Sequence, residues 1–175
     1  MTNPRDDEFT EFVIDNSGQF LRTAWLLTGD LGHAEDLVQT ALAKAYSRWP
    51  QVQRADHPAA FVRRLMVNSH LSWRRRLTNS EQVIEVLPDA ASGDLQAAHA
   101  DSDETRRALA QLSTRVRTAI VLRFFDDLSE ATTAELMGCS VSTVNNHVTR
   151  GLATLRALLS ADAHSSLTPV SRRRP

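Results

Sequence analysis

The sequence predicts an all-α protein of two small helical domains joined by an acidic flexible linker. Three observations lead there. Apolar residues recur at helical spacing in both halves of the chain, and residues 1–77 carry no alternating strand pattern. The stretch 78–102 breaks that spacing with Pro88, Gly93 and several Ser and Ala. Charge is laid down in blocks: net −5 over 1–45, +6 over 46–80, −7 over 81–105, +3 over 106–160 and +2 over 161–175, which together give the overall −1. Alternation on that scale suggests separate surfaces for separate partners, although the net charge alone argues against nucleic acid.

Composition narrows the class. With 42% hydrophobic and 23% charged residues the chain is globular rather than disordered. Its one cysteine, Cys139, excludes an internal disulfide framework and a Cys-rich zinc site. The longest run free of Asp, Glu, Lys and Arg, residues 136–149, has 14 residues and is rich in Ser, Thr and Asn, too short and too polar to span a membrane. The acidic start lacks the apolar core of a secretory signal, so the expected compartment is the cytoplasm.

Along the first domain (1–77), Phe9, Phe12, Val13, Phe20, Leu21, Ala24 and Leu27 mark a helix closed by Gly29. Asp30 is an expected N-cap for a second helix. There Ala34, Leu37, Val38, Ala41, Leu42, Ala45, Tyr46 and Trp49 form one apolar stripe over four turns, and Glu35 and Asp36 suit the positive end of the helix dipole. Pro50 is expected to stop that helix, Gln51 to His57 to form a loop, and a third helix to run from Pro58 to about Arg76. The linker (78–102) carries most of the acid block and one expected helical stretch at Asp94–His99.

In the second domain (103–160), Leu109, Leu112, Val116, Ile120, Val121 and Phe124 line two short helices. Ser129 caps a third, Glu130 to Met137, and Gly138 supplies a left-handed turn. Ser140 then caps a last helix whose buried stripe is Val144, Val148, Leu152, Leu155 and Leu159. Thr143, Asn145, Asn146, His147, Thr149 and Arg150 are expected to face outward. The tail 161–175, with its Arg-Arg-Arg-Pro end, is expected to be disordered.

A short helix, a Gly-containing turn and a second helix with a polar face form a helix-turn-helix. The first helix braces the second, which can enter a major groove about 12 Å wide. Arg pairs with guanine and Asn with adenine, so Asn145, Asn146 and Arg150 are the residue types such a helix needs. An ordinary helical hairpin with a solvated face reads the same way from this stretch alone.

Three stretches carry a wider resemblance. They are Ala34-Glu35-Asp36-Leu37-Val38-Gln39-Thr40-Ala41-Leu42-Ala43-Lys44-Ala45-Tyr46; Phe61-Val62-Arg63-Arg64-Leu65-Met66-Val67-Asn68-Ser69 running into Trp73-Arg74-Arg75-Arg76; and Val121-Leu122-Arg123-Phe124-Phe125-Asp126-Asp127-Leu128-Ser129 followed by Gly138-Cys139-Ser140-Val141-Ser142-Thr143-Val144. In this order and at these separations they resemble region 2.2, regions 2.3–2.4 and region 4 of the sigma-70 family of bacterial transcription initiation factors. The likeness is to the short extracytoplasmic-function (ECF) group, and Trp25-Leu26-Leu27-Thr28-Gly29-Asp30 looks most like its SigE-type actinobacterial subgroup.

The resemblance implies a factor that binds core RNA polymerase and directs it to promoters through −10 and −35 DNA elements. It implies contacts to the β′ clamp and β flap of polymerase, no cofactor, no metal, no enzymatic activity, no membrane association, a monomer when free, and an anti-sigma factor as a possible partner. By position, Asp36, Leu37, Gln39 and Thr40 would face the clamp, with Leu37 partly core. The family usually has an acid where Thr40 stands. Arg63, Arg64, Asn68, Trp73, Arg74 and Arg75 would meet the −10 element, where a basic block is the electrostatic footprint of DNA and Trp73 could stack on an unpaired base. The loop 51–57 matches the family's base-capturing loop. Arg123, Thr143, Asn145, Asn146, His147, Thr149 and Arg150 would meet the −35 element. Two fixed charges are missing there, because the family usually has Lys or Arg where Asn145 and His147 stand. The acids of the linker suit either a path through polymerase channels built for polyanions or a solubilising tether.

No constellation suggests catalysis. The six His lack metal-ligand spacing, and no Gly-rich phosphate loop or Ser-His-Asp arrangement is present. The alternative reading is a stand-alone helix-turn-helix transcriptional regulator, which would need a sensory or receiver domain in the first half.

Overall fold

The computed structural model describes residues 3–79 and 100–165, and the side-chain surroundings of 3–79 and 103–160. Most of the acidic linker, with the expected Asp94–His99 helix, and residues 166–175 of the tail lie outside the described residues. The described residues form helices and turns, with no strand among them.

Helix α1 (Pro4–Thr28) starts where the Asn3 side chain accepts from the Arg5 N–H and Pro4 fills the first turn. It ends at Gly29, whose φ of 77° places it in the left-handed region and lets its N–H reach the Trp25 carbonyl. Helix α2 (Leu31–Ser47) starts at once, because the Asp30 carboxylate caps the His33 N–H at 2.7 Å. Pro50 does not end α2. It sits in the first turn of a short helix α3 (Trp49–Gln53), where a missing N–H costs nothing, so the first part of the expected 51–57 loop is helical. Helix α4 (Pro58–Asn79) runs three residues past the expected end. Phe20, Ala24, Ala34, Leu37, Val38, Ala41, Ala45, Trp49, Val52, Val62 and Met66 make the core among these helices, and Phe9 meets Tyr46 and Trp49 edge to face while Phe12 lies tilted against Trp49.

The second unit comprises α5 (Ala100–Ala110), α6 (Thr114–Ile120), a π-helical turn (Val121–Phe125), α7 (Glu130–Met137) and α8 (Val141–Ser165). Helix α5 begins inside the stretch assigned to the linker, and α8 continues five residues past Ser160, where the tail was expected to begin. The π turn corrects the apolar stripe. Its wider winding, marked by the Asp126 N–H to Val121 carbonyl bond at 3.1 Å, rotates Phe124 outward to 54% exposure. Leu159, also placed in a buried stripe, is exposed because the helices that cover α8 do not reach that far. Ser129 and Ser140 cap α7 and α8 through the N–H groups of Thr132 and Thr143, and Gly138 takes φ 63° between them.

The two units share apolar clusters. Leu26 and Leu27 at the end of α1 pack with Leu109, Leu112, Val116, Ile120 and Val121, against Val148, Leu152 and Leu155 of α8. Val67 and Leu71 of α4 pack with Ala119, Leu122, Leu136 and Met137.

Candidate nucleic-acid and polymerase interfaces

Helix α8 presents its polar face because α6 and α7 cover only one side of it. Val144 is fully buried, while Asn145, Asn146, Thr149 and Arg150 are exposed. Asn145 donates to the Glu130 carboxylate at 3.3 Å. Thr143 and His147 are half-buried rather than fully outward, since they flank the packed stripe. Thr143 Oγ1 lies 2.8 Å from Ser140 Oγ in the cap of α8. Desolvation holds the His147 imidazole below its ordinary pKa, with Arg115 and Arg150 adding repulsion, so a neutral ring stands on this face. Arg123 projects from the π turn, donates to the Leu128 carbonyl and lies 3.9 Å from Glu130.

On α2, Asp36, Gln39 and Thr40 are exposed on one helix face. Leu37 is core rather than surface, at 9% exposure within the first cluster, because it faces α1 and α4 with Ala34 and Val38.

Helix α4 divides its basic residues between two environments. Asn68 and Arg75 are exposed and Arg74 is half-buried. Trp73 is partly exposed. It lies against His33 of α2 with centroids 5.3 Å apart, and the Arg74 guanidinium sits 5.7 Å from its ring centre. Arg63 is not on the open face. Its side chain is 9% exposed, and its Nε lies 3.3 Å from Oδ2 of Asp126, itself 4% exposed. Arg64 is exposed and paired with Glu135 of α7 at 2.8 Å. Between the units Arg64, Asn68, Arg74 and Arg75 of α4 face Arg115 and Glu135 across a cleft of about 600 Å³.

Sequence reasoning missed the residues that join the units. Thr23 donates its hydroxyl to Asp126 Oδ1 at 2.7 Å. Burial pushes the Asp126 carboxyl above its ordinary pKa, against the lowering effects of the Thr23 bond, Arg63 and Arg22. Arg117, 6% exposed, spreads its guanidinium over the carbonyls of Leu27, Leu109, Ala110 and Leu112 at 2.8–3.3 Å, and Arg106 reaches the Gly29 carbonyl at 3.1 Å. The available signal was weak: Arg117 stands between Val116 and Ile120 of the apolar stripe, a place where a solvated arginine is out of character.

Two family profiles match the chain, sigma-70 region 2 over residues 12–80 and sigma-70 region 4 over residues 102–155. The RNA polymerase sigma-E factor of Streptomyces coelicolor is 36% identical over 154 residues, covering 88% of this chain and 87% of its own. The sigma-E factor of Streptomyces antibioticus is 37% identical over 149 residues, covering 85% and 83%. Among solved structures, the Bartonella quintana sigma factor RpoE, crystallised with the anti-sigma factor NepR, superposes with a TM-score of 0.72 at 25% identity, covering 89% of this chain and 98% of its own. No helix among the described residues is long and apolar enough to cross a membrane.

Proposed function

This chain belongs to the sigma-70 family, in its extracytoplasmic-function group, and is thus a transcription initiation factor; from that premise we propose how its surfaces divide the work. Helix α2 docks on the β′ clamp of core RNA polymerase through Asp36, Gln39 and Thr40, with Leu37 holding the helix in place from beneath. Helix α4 reads and helps open the −10 element through Asn68, Trp73, Arg74 and Arg75, joined by Arg63 and Arg64. Helix α8 enters the −35 major groove with Asn145, Asn146, Thr149 and Arg150, with Thr143 and His147 at its flanks and Arg123 beside it, while the second unit meets the β flap. An anti-sigma factor is a fitting partner, since the Bartonella relative is crystallised with one. The chain acts as a positioning factor, not an enzyme, and works in the cytoplasm.

The observation that carries this reading is the exposed polar face of α8, braced by α7 across the left-handed Gly138. An isolated polar helix face has many uses, but one presenting two Asn and an Arg from a helix-turn-helix fits base-edge readout.

Run-off transcription with actinobacterial core polymerase on a library of promoter fragments tests it. Selective initiation that depends on the protein is expected, and Asn146→Ala with Arg150→Ala should relax the −35 preference. Failure both to bind core and to initiate would move the weight to a stand-alone DNA-binding regulator.

A further inference from the structure

We propose that a groove on the first unit, between α1 and α3, is a docking site for an arginine-bearing segment of a protein partner. Glu11 and Asp15 take the guanidinium, Phe12 and Trp49 carry its stem, and the Trp49 indole N–H takes a backbone carbonyl beside it. The groove shares no residue with the faces proposed for polymerase and promoter DNA, and it depends on neither assignment.

Three observations carry it. The first is charge without a use. Residues 1–45 hold eight acids against three bases, and of these acids the proposed function employs only Asp36. Others have structural duties: Asp30 caps α2, and Asp6 accepts from the Tyr46 hydroxyl at 2.5 Å. Glu8, Glu11 and Asp15 stand exposed at spacing i, i+3, i+7 on one face of α1, and none is paired with a base among the described residues. Glu8 accepts from Gln53 of α3 at 2.5 Å, which ties the two helices together across the groove. Like charges on successive turns repel, so a cation from outside stabilises them. A metal ion is not that cation, because no group of three or more acids, His or Cys among the described residues could hold one. Nucleic acid is excluded as well, since its phosphates would meet carboxylates.

The second is shape. The three acids rim a cavity of about 380 Å³ whose lining includes Phe12 and Trp49, a volume within the range of ligand clefts, about 300–1,000 Å³. Phe12 is half-buried, with its ring centroid 5.2 Å from that of Trp49. A planar guanidinium lies against an aromatic ring and forks to carboxylates at the same time, which an ammonium does less well. Acids above aromatics therefore favour arginine over lysine.

The third is an orphaned donor. Trp49 is 3% exposed, and its indole Nε1 has no acceptor among the described residues. A buried N–H left without a partner is costly. A groove with free carboxylates and a spare donor fits a ligand that brings both a cation and an acceptor. A peptide brings both, as an arginine side chain and a backbone carbonyl; a polyamine brings only the cation. Asn16, in the same lining, donates its amide N–H to the Phe12 carbonyl at 2.8 Å and keeps its oxygen as a further acceptor for the guanidinium.

The test uses the full chain and a short labelled Gly/Ser peptide carrying two arginines, with lysine and citrulline counterparts. Polarisation should saturate at one peptide per chain, with the lysine peptide about threefold weaker and the citrulline peptide about tenfold weaker. Glu11→Gln with Asp15→Asn, at exposed positions with little risk to folding, should weaken the arginine peptide about tenfold. Glu35→Gln with Glu104→Gln, an equal charge change at exposed positions outside the groove, should leave it unchanged. In NMR spectra the indole N–H resonance of Trp49, identified by its loss in Trp49→Phe, should move as peptide is added, while those of Trp25 and Trp73 stay in place. Equal binding of the arginine and citrulline peptides, or equal weakening by the two double variants, overturns the site. Equal binding of the lysine peptide overturns arginine as the cation. Binding with the Trp49 resonance unmoved is general charge attraction and overturns the groove as its seat. Binding about tenfold tighter in a chain ending at Ser165 than in the full chain would mean that Arg172, Arg173 and Arg174 already fill the groove, and would overturn a partner protein as the occupant.

Discussion

His70 makes the protein acid-sensitive by an amount that can be worked out. The residue is 1% exposed on α4, and neither ring nitrogen has a hydrogen-bond partner among the described residues. Burial, first, and then the charges of Arg74 and Arg117 lower its pKa from 6.5 to about 4. The unfolded chain therefore binds a proton near pH 6.5 that the folded chain refuses until about pH 4. Stability from the neutral ring is complete above pH 6.5 and is lost as pH falls towards 4. At pH 5 the unfolded form holds about 1.5 pH units of extra proton binding, about 2 kcal/mol at 1.36 kcal/mol per unit. The Asp126 carboxyl has the opposite sign: its raised pKa favours the folded state as pH falls. Comparison with His70→Leu cancels that contribution and isolates the imidazole. Urea unfolding followed by tryptophan fluorescence between pH 8 and 5 should show the wild type losing about 2 kcal/mol more than His70→Leu. Equal losses in the two proteins would mean that the ring finds a partner or water on protonation, and the reasoning would fail.

Other expected outcomes are shorter to state. Arg117→Met strips the donor from four carbonyls at the joint of α1, α5 and α6 and should cost at least about 3 kcal/mol, read as a fall in melting temperature of about 6–12 °C; a shift under 3 °C would show that water replaces it. Gly151→Ala should destabilise by about 1 kcal/mol although alanine favours helix, because its Cβ would sit 2.8 Å from Ile120 Cγ1 and 3.0 Å from Val116 Cγ1 where α8 crosses α6; a raised melting temperature would contradict this. Asn145→Arg with His147→Arg should steepen the salt dependence of −35 duplex binding by about two units in the log–log slope, and an unchanged slope would place these positions away from phosphates.

Much of the fold was legible because the helices announce themselves locally. Asp30, Gly29, Ser129, Gly138 and Ser140 are each the residue type that a helix end requires, and each does that work. The exposed face of α8 was legible for the same reason, as a polar face beside a regular apolar stripe. What stayed hidden depends on contacts distant in sequence. Phe124 follows the stripe in the sequence, but the π turn that rotates it outward is a tertiary accommodation with no local signature. Arg63 belongs by composition to a solvated basic block, and only the approach of Asp126, sixty-three positions along the chain, buries it. Charge counts treat both as surface, since a count does not know which acid folds back onto which base.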